Sequence, residues 1–242
     1  MKALLFVLLC GCDAAPRPAP AWYVAREVVT AMNDASFQLK KGFGVEVVDR
    51  RGDKALTSEG RWFPLPALER VVVASTAVVS APRAPVVPEG LLQDERWVDV
   101  DIAAQRVTAY QGSRAVRSMR ASTGVGEDGA PYSTPRGGFR IYAKLRSAVM
   151  SSDKDDPRPY RFEAVPHVQY FNREVALHGA YWHRRFGERI THGCVNLAPD
   201  DAAWLFEFTG PRLLPSEKEL AATRAPMGTS GAGKVGTYVR VR

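Results

Sequence analysis

Cys194 stands in the run Thr191-His192-Gly193-Cys194-Val195-Asn196, and the only other cysteines, Cys10 and Cys12, lie near the start of the chain. All four histidines, His167, His178, His183 and His192, fall in the stretch leading up to Cys194. A thiol attacks well only as thiolate, and an ordinary cysteine holds little thiolate at neutral pH, so a nucleophilic Cys194 needs a base or a positive group beside it. Two histidines are placed to supply one. His192 is separated from Cys194 by one residue, which in an extended segment puts both side chains on one side. His178 ends the apolar run Val175-Ala176-Leu177 and precedes Gly179, so a neighbouring strand can deliver it. Gly193 lets a carbonyl approach the backbone closely, and the N–H groups of Gly193 and Cys194 are candidates to stabilise a tetrahedral oxyanion. The chemistry implied is attack of a thiolate on a carbonyl.

Such a constellation has to be held by strands. Trp97-Val98-Asp99-Val100-Asp101-Ile102 alternates apolar and acidic residues, and the brief turn Ala103-Ala104-Gln105 leads into a second alternating run, 106–110, so the two predict an antiparallel hairpin. Further strand-like runs are 118–122, 138–142, 168–171 and 174–177, and the closing Thr237-Tyr238-Val239-Arg240-Val241 alternates again. One helix is expected from Pro199, with proline in the first turn and Asp200 and Asp201 at the positive end of the dipole. Ala202, Leu205 and Phe206 share a face, and Gly210-Pro211 stops it. The segment 212–234 reads as an insertion, with a short helix at 216–223 followed by a glycine-rich loop.

Upstream, residues 22–80 read as a small β domain with short strands at 22–24, 45–48 and 60–64. The order of Leu39-Lys40-Lys41-Gly42, the strand from Val45 and Gly60-Arg61-Trp62-Phe63-Pro64 resembles a bacterial Src-homology-3-like barrel, a class that includes binders of wall peptides and also structural spacers. Prolines recur through 81–94, which predicts an extended linker, and through 13–21, which predicts a stiff tether. Met1-Lys2, an apolar run and Leu9-Cys10-Gly11-Cys12 have the order of an export signal, residues 1–12, and resemble a bacterial lipobox with Cys12 as the lipidated residue. With Cys194 then the only mature cysteine, an intrachain disulfide is excluded. The apolar share of 45% allows a packed core, and the net charge of +7 suits loose attraction to anionic envelope surfaces. Basic residues are scattered among acids, with no basic helix and no aromatic-basic ribbon, so no nucleic-acid partner is expected.

Leu177-His178-Gly179-Ala180-Tyr181-Trp182-His183-Arg184-Arg185-Phe186-Gly187, followed by Thr191-His192-Gly193-Cys194-Val195-Asn196-Leu197, resembles the catalytic signature of the L,D-transpeptidases, the YkuD-like family. The resemblance extends through Ala121-Ser122-Thr123-Gly124, Thr134-Pro135-Arg136-Gly137-Gly138-Phe139 and Val165-Pro166-His167-Val168-Gln169-Tyr170-Phe171, covering most of 95–242. It implies a mainly β, mostly antiparallel sandwich with one packed helix, preceded here by the small barrel-like domain. It implies Cys194 as nucleophile and His178 as its base, with the Gly179 carbonyl fixing the imidazole tautomer. His192, Gly193 and Thr191 shape the nucleophile loop and oxyanion site, Asn196 braces it, and Tyr170, Trp182 and His183 line the substrate groove. The implied reaction is acyl transfer on peptidoglycan stem peptides: a thioester forms on Cys194, terminal D-alanine leaves, and an amine resolves the thioester. Neither metal nor organic cofactor is implied, and the oligomeric state is left open.

Other readings use the same residues. An L,D-carboxypeptidase would let water resolve the thioester, and a catalytically silent envelope protein would only bind peptidoglycan. A zinc site would pair His192 with Cys194 and His178 with His183, against the flanking matches. Papain-like enzymes place cysteine before histidine, the reverse of the order here. Three departures from the family pattern stand out: Ala198 where a helix cap is usual, His167 where an aromatic is common, and the length of 212–234.

Overall fold

The computed structural model describes residues 21–77, 86–214, 216–221 and 235–242. The expected export signal with Cys12, residues 13–20 of the expected tether, residues 81–85 of the proline-rich linker and residues 222–234 of the inserted segment lie outside the described residues.

Seven short strands make the N-terminal unit: β1 (Ala21–Ala25), β2 (Val29–Ala31), β3 (Asp34–Leu39), β4 (Gly44–Arg51), β5 (Lys54–Thr57), β6 (Trp62–Pro64) and β7 (Leu68–Arg70). Five of them form one sheet in the order β6-β5-β4-β1-β7, and β2 pairs with β3 separately. Alternate residues, among them Tyr23, Val45, Val47, Ala55 and Phe63, turn inward to a small core of their own. Beyond β7, residues 71–77 run across the second unit, where the Thr76 N–H and the Ser75 and Thr76 hydroxyls donate to Asp201 at 2.7, 2.5 and 2.9 Å.

The second unit contains β8 (Arg96–Asp101), β9 (Arg106–Gln111), β10 (Arg114–Ser122), β11 (Gly137–Arg140), β12 (Ala143–Ser151), β13 (Arg161–Asn172), β14 (Val175–Gly179), β15 (Val195–Leu197), α1 (Pro199–Phe208), β16 (Glu219–Ala221) and β17 (Tyr238–Val241). It is mainly β, and its strands form one ladder, β11-β17-β8-β9-β10-β15-β14-β13-β12-β16. The ladder folds over on itself, so that Val98, Val107 and Val239 from one half and Leu177, Val195 and Leu197 from the other fill a shared core with Ala202 and Leu205 of α1. Phe139 on β11 meets Phe171 on β13 with ring centroids 5.6 Å apart, closing the sandwich. Pairing is antiparallel except β17 with β8 and β14 with β15.

The helix begins at Pro199 with no side-chain cap from Ala198. Asp201, fully buried in its first turn, is tied to Arg117 at 2.9 Å as well as to residues 75 and 76. At the other end, the buried Lys144 of β12 donates to the Phe206 and Thr209 carbonyls at 2.5 and 2.9 Å, serving the helix C-terminus from a neighbouring strand. The expected helix at 216–223 is not formed: Glu219–Ala221 is an edge strand paired antiparallel with Ala143–Leu145. Ser216, Glu217, Lys218, Glu219, Leu220 and Ala221 favour a helix locally, but the free edge of β12 offers a row of backbone partners that outweighs this preference.

Candidate active site

Register places the chemistry. Strand β14 runs parallel to β15 with Leu177 beside Val195, His178 beside Asn196 and Gly179 beside Leu197. Side chains alternate along a strand, so Leu177, Val195 and Leu197 point into the sandwich core while Ala176, His178, Cys194 and Asn196 share the opposite face. The histidine and the cysteine expected to act together are thus brought onto one face from different strands. They meet at a cavity of about 270 Å³, which both line together with Asn196, Trp182, His183 and Thr191.

The His178 imidazole is buried, and its Nδ1 lies 3.1 Å from the Gly179 carbonyl oxygen. That carbonyl can only accept, so Nδ1 carries the ring proton and Nε2 keeps its lone pair for the cavity. Burial holds the His178 pKa down at about 4; the Gly179 carbonyl opposes the shift and nearby His183 adds to it. Burial also pushes the Cys194 thiol up to about 11, a backbone N–H of Ala176 opposing and Glu174 adding to it. The thiol faces the Glu174 carbonyl oxygen at 3.6 Å. At neutral pH the resting pair is therefore neutral thiol and neutral imidazole.

The nucleophile loop is cross-braced. The Thr191 hydroxyl donates to the Cys194 carbonyl at 2.6 Å and accepts the Gly193 N–H at 3.0 Å. The Thr134 hydroxyl donates to the Gly193 carbonyl at 2.7 Å and accepts the Gly124 N–H at 2.9 Å. Gly193 sits at φ +127, and a β-carbon there would lie 2.9 Å from the Ser133 carbonyl oxygen. The loop thus requires glycine. Of the two amides expected to face an oxyanion, the Gly193 N–H is engaged by Thr191, which shifts that expectation onto the Cys194 N–H.

His192 also lines the cavity. Its Nε2 donates to the Arg158 carbonyl at 2.7 Å, and its ring packs against Tyr132 and Tyr160 at centroid distances of 4.7 and 4.6 Å. It pins the β12–β13 connection over the cavity. His183 Nδ1 accepts the Arg185 N–H at 3.1 Å, and its Nε2 lies 3.0 Å from the Asn196 carboxamide nitrogen. Trp182 stacks on Phe162 at 3.8 Å and stands 5.9 Å from His178, walling the cavity. Tyr170 packs with Cys194 in the aromatic cluster beneath the site and stacks on Tyr142 at 6.1 Å.

A sequence model of the L,D-transpeptidase catalytic domain, the YkuD family, matches residues 95–241. The chain belongs to this family. It is similar to the probable L,D-transpeptidase 3 of Mycobacterium tuberculosis H37Rv, 33% identical over 96 residues that cover 34% of this chain and 35% of that protein. It is also similar to L,D-transpeptidase 1 of the same strain, 32% identical over 113 residues covering 44% and 43%. A solved L,D-transpeptidase from Mycobacterium smegmatis is 27% identical and covers 61% of this chain and 58% of that chain, with a TM-score of 0.46. The matched regions span less than half the length of either curated relative.

Within this L,D-transpeptidase domain, several cavity residues escaped the sequence reading. Tyr160 and Phe162 come from the far end of the β12–β13 hairpin, Met150 from β12, and Arg185 and Ile190 from the segment between His183 and Thr191. Burial, then the neighbouring Cys194, pushes the Tyr160 phenol up to about 12, so it stays a hydrogen-bond donor at the cavity. Only aromatic composition before the strand at 161 hinted at them. His167, read as a departure from the family pattern, packs edge-on against Phe206 at 5.4 Å, on the helix and away from the cavity lining.

Proposed function

We propose that the chain is a peptidoglycan L,D-transpeptidase working through a thioester on Cys194. The observation that carries this reading is the parallel register of β14 and β15, which sets the His178 Nε2 lone pair and the Cys194 thiol on one face of one cavity. His178 Nε2 takes the thiol proton as sulfur attacks the carbonyl that precedes the terminal D-alanine of a tetrapeptide stem. The oxyanion forms beside the Cys194 N–H. Collapse expels the D-alanine amine, which recovers the proton from His178 Nε2, and leaves the acyl group on sulfur. An acceptor amine then attacks the thioester, gives its proton to His178, and departs joined to the acyl group as the thiol is restored. Because the resting pair is neutral, proton removal belongs to the attack itself, when the developing oxyanion compensates the charge on the imidazolium.

Trp182, Phe162 and Tyr160 give the stem peptide an apolar wall, and the Asn196 to His183 bond fixes the segment that carries Trp182. Export and anchoring through a lipidated Cys12 belong to the same proposal, since the substrate lies in the cell envelope. Incubation of the purified protein with disaccharide tetrapeptide, read by mass spectrometry, tests the activity: released D-alanine with a stem-to-amine product supports transfer, and release with a hydrolysed stem alone replaces it with carboxypeptidase action. No release ends the enzyme reading. Intact mass of the envelope-extracted protein tests the anchor, which a mature form without a diacylglyceryl cysteine refutes.

A further inference from the structure

The N-terminal β unit touches the catalytic unit at a residue three positions from His178. Tyr181 is 4% exposed and is held from both units at once. Its hydroxyl donates to the Glu163 carbonyl on β13 at 2.5 Å and accepts the Gly44 N–H of β4 at 3.2 Å. Trp22 of β1 lies flat on its ring, centroids 5.6 Å apart and planes within 3°. Gly44 underlies the same ring so closely that a β-carbon there would come within 2.5 to 2.8 Å of three ring carbons. The N-terminal unit thus presents one aromatic face and one bare stretch of backbone, shaped to a single side chain of the other unit.

What Tyr181 touches next is the cavity. Its ring stands edge-on to Trp182 at 5.0 Å, and Trp182 is the indole stacked on Phe162 and facing His178. The carbonyl that Tyr181 binds belongs to Glu163, the neighbour of Phe162, so both halves of that stack are fixed through one phenol. The opposite side of the segment is braced by the strap that follows β7: Val73 packs with Ala180, Phe186 and Ala198, and Arg184 donates to the Val72 carbonyl at 3.4 Å.

We infer that the N-terminal β unit is a positioning element of the catalytic cavity, and that Tyr181 is the positioning residue through which it holds Trp182 and Phe162 over His178. The inference rests on the reading of His178 and Cys194 as an acyl-transfer pair. Tyr181 touches no reacting atom. It acts by keeping the wall closed, which excludes water from His178 and fixes its distance from the thiol.

Two variants in the full chain test this. Tyr181→Phe keeps the ring and removes both hydrogen bonds. Gly44→Ala alters only the N-terminal unit and drives a methyl group into the ring. Acylation of Cys194 by a carbapenem is followed by stopped-flow absorbance from pH 4 to pH 9, with circular dichroism confirming the fold and the thermal midpoint recorded beside it. Both variants are expected to lower the limiting acylation rate by about 10-fold to 100-fold, the scale of a small misplacement transmitted from outside the chemistry. The half-saturating concentration should change little. The groups facing His178 are the Gly179 carbonyl on its own strand, Cys194 at the start of the neighbouring β15 and His183 beside Trp182. Opening the wall to water should raise the acid limb of the profile from near pH 4 towards the ordinary histidine range. If folded variants keep the wild-type rate and acid limb while only their melting changes, the contact is a structural joint and the inference is overturned. If wild-type protein itself is not acylated, the acyl-transfer reading falls and takes this inference with it.

Discussion

Gly193→Ala is the substitution whose cost follows most directly from the nucleophile loop. The position lies at φ +127, where an L side chain is strained, and the new methyl carbon would stand 2.9 Å from the Ser133 carbonyl oxygen. That oxygen is backbone, so it cannot swing aside as the end of a flexible side chain would. Strain of this kind costs about 2 kcal/mol, which in a chain of this size lowers the thermal midpoint by about 4–8 °C. The catalytic effect should be larger than the loss of stability suggests. Relief of the contact must move the Gly193 peptide, which is held by Thr134 at its carbonyl and by Thr191 at its N–H. The Gly193 carbonyl shares its peptide unit with the Cys194 N–H, the donor assigned to the oxyanion, and misplacing one such donor costs about 100-fold to 1,000-fold in rate. Carbapenem acylation followed by absorbance, with melting followed by circular dichroism, gives both numbers from one preparation. A Gly193→Ala protein that melts with wild type and acylates at the wild-type rate would refute the reasoning, because neither the backbone strain nor the loop's role would then survive.

Asp201→Ala removes a fully buried carboxylate that receives Arg117, Ser75 and Thr76, and should cost about 3–5 kcal/mol in urea unfolding through the uncompensated guanidinium and the lost strap contacts; a loss under about 1 kcal/mol would contradict that role. His167, His178 and His183 are each held near pKa 4 by burial, against an ordinary value of 6.5. Above 6.5 folded and unfolded chains are both neutral at these sites, while below it the unfolded chain takes protons that the folded chain refuses, so stability should fall between pH 6.5 and 4. Urea midpoints that stay level across that window would be at odds with the burial. Alkylation of Cys194 by iodoacetamide without substrate should be slow at pH 7, where a thiol of pKa about 11 is ionised in about one molecule in ten thousand, and should accelerate up to that pKa. A rate that is already level at pH 7 would indicate a preformed thiolate.

The sequence was most legible where pattern and environment agree. The strands at 96–101, 106–111 and 238–241 alternate or pair as their residues suggest, and the helix from Pro199 ends short of Gly210 as expected. Strand β12 was missed because Lys144, its second residue, is buried as a polar group serving the helix C-terminus, which spoils the apolar alternation. Strand β13 is longer than its readable part because positive φ at Ala164 and His167 and bulges in its pairing put its side chains out of phase. At the site, a lone thiol, a histidine at a strand end and a glycine before the thiol are distinctive residue types, so Cys194, His178 and Gly193 could be singled out, while the choice of His178 over His192 as base came only from the family resemblance. Tyr181 was not, since its role depends on Gly44, which is 137 residues away. Nor was the turning of His192 towards Arg158, which only the β12–β13 connection could decide.

The most direct test of the account is the fate of Cys194 during turnover of a disaccharide tetrapeptide. Rapid acid quench followed by peptide mapping should find the acyl stem, less D-alanine, on the peptide carrying Cys194 of the wild-type protein, with free D-alanine in equal amount. Cys194→Ala should give neither product. D-alanine released by Cys194→Ala, or released by wild type with the acyl group on another residue, would contradict the mechanism.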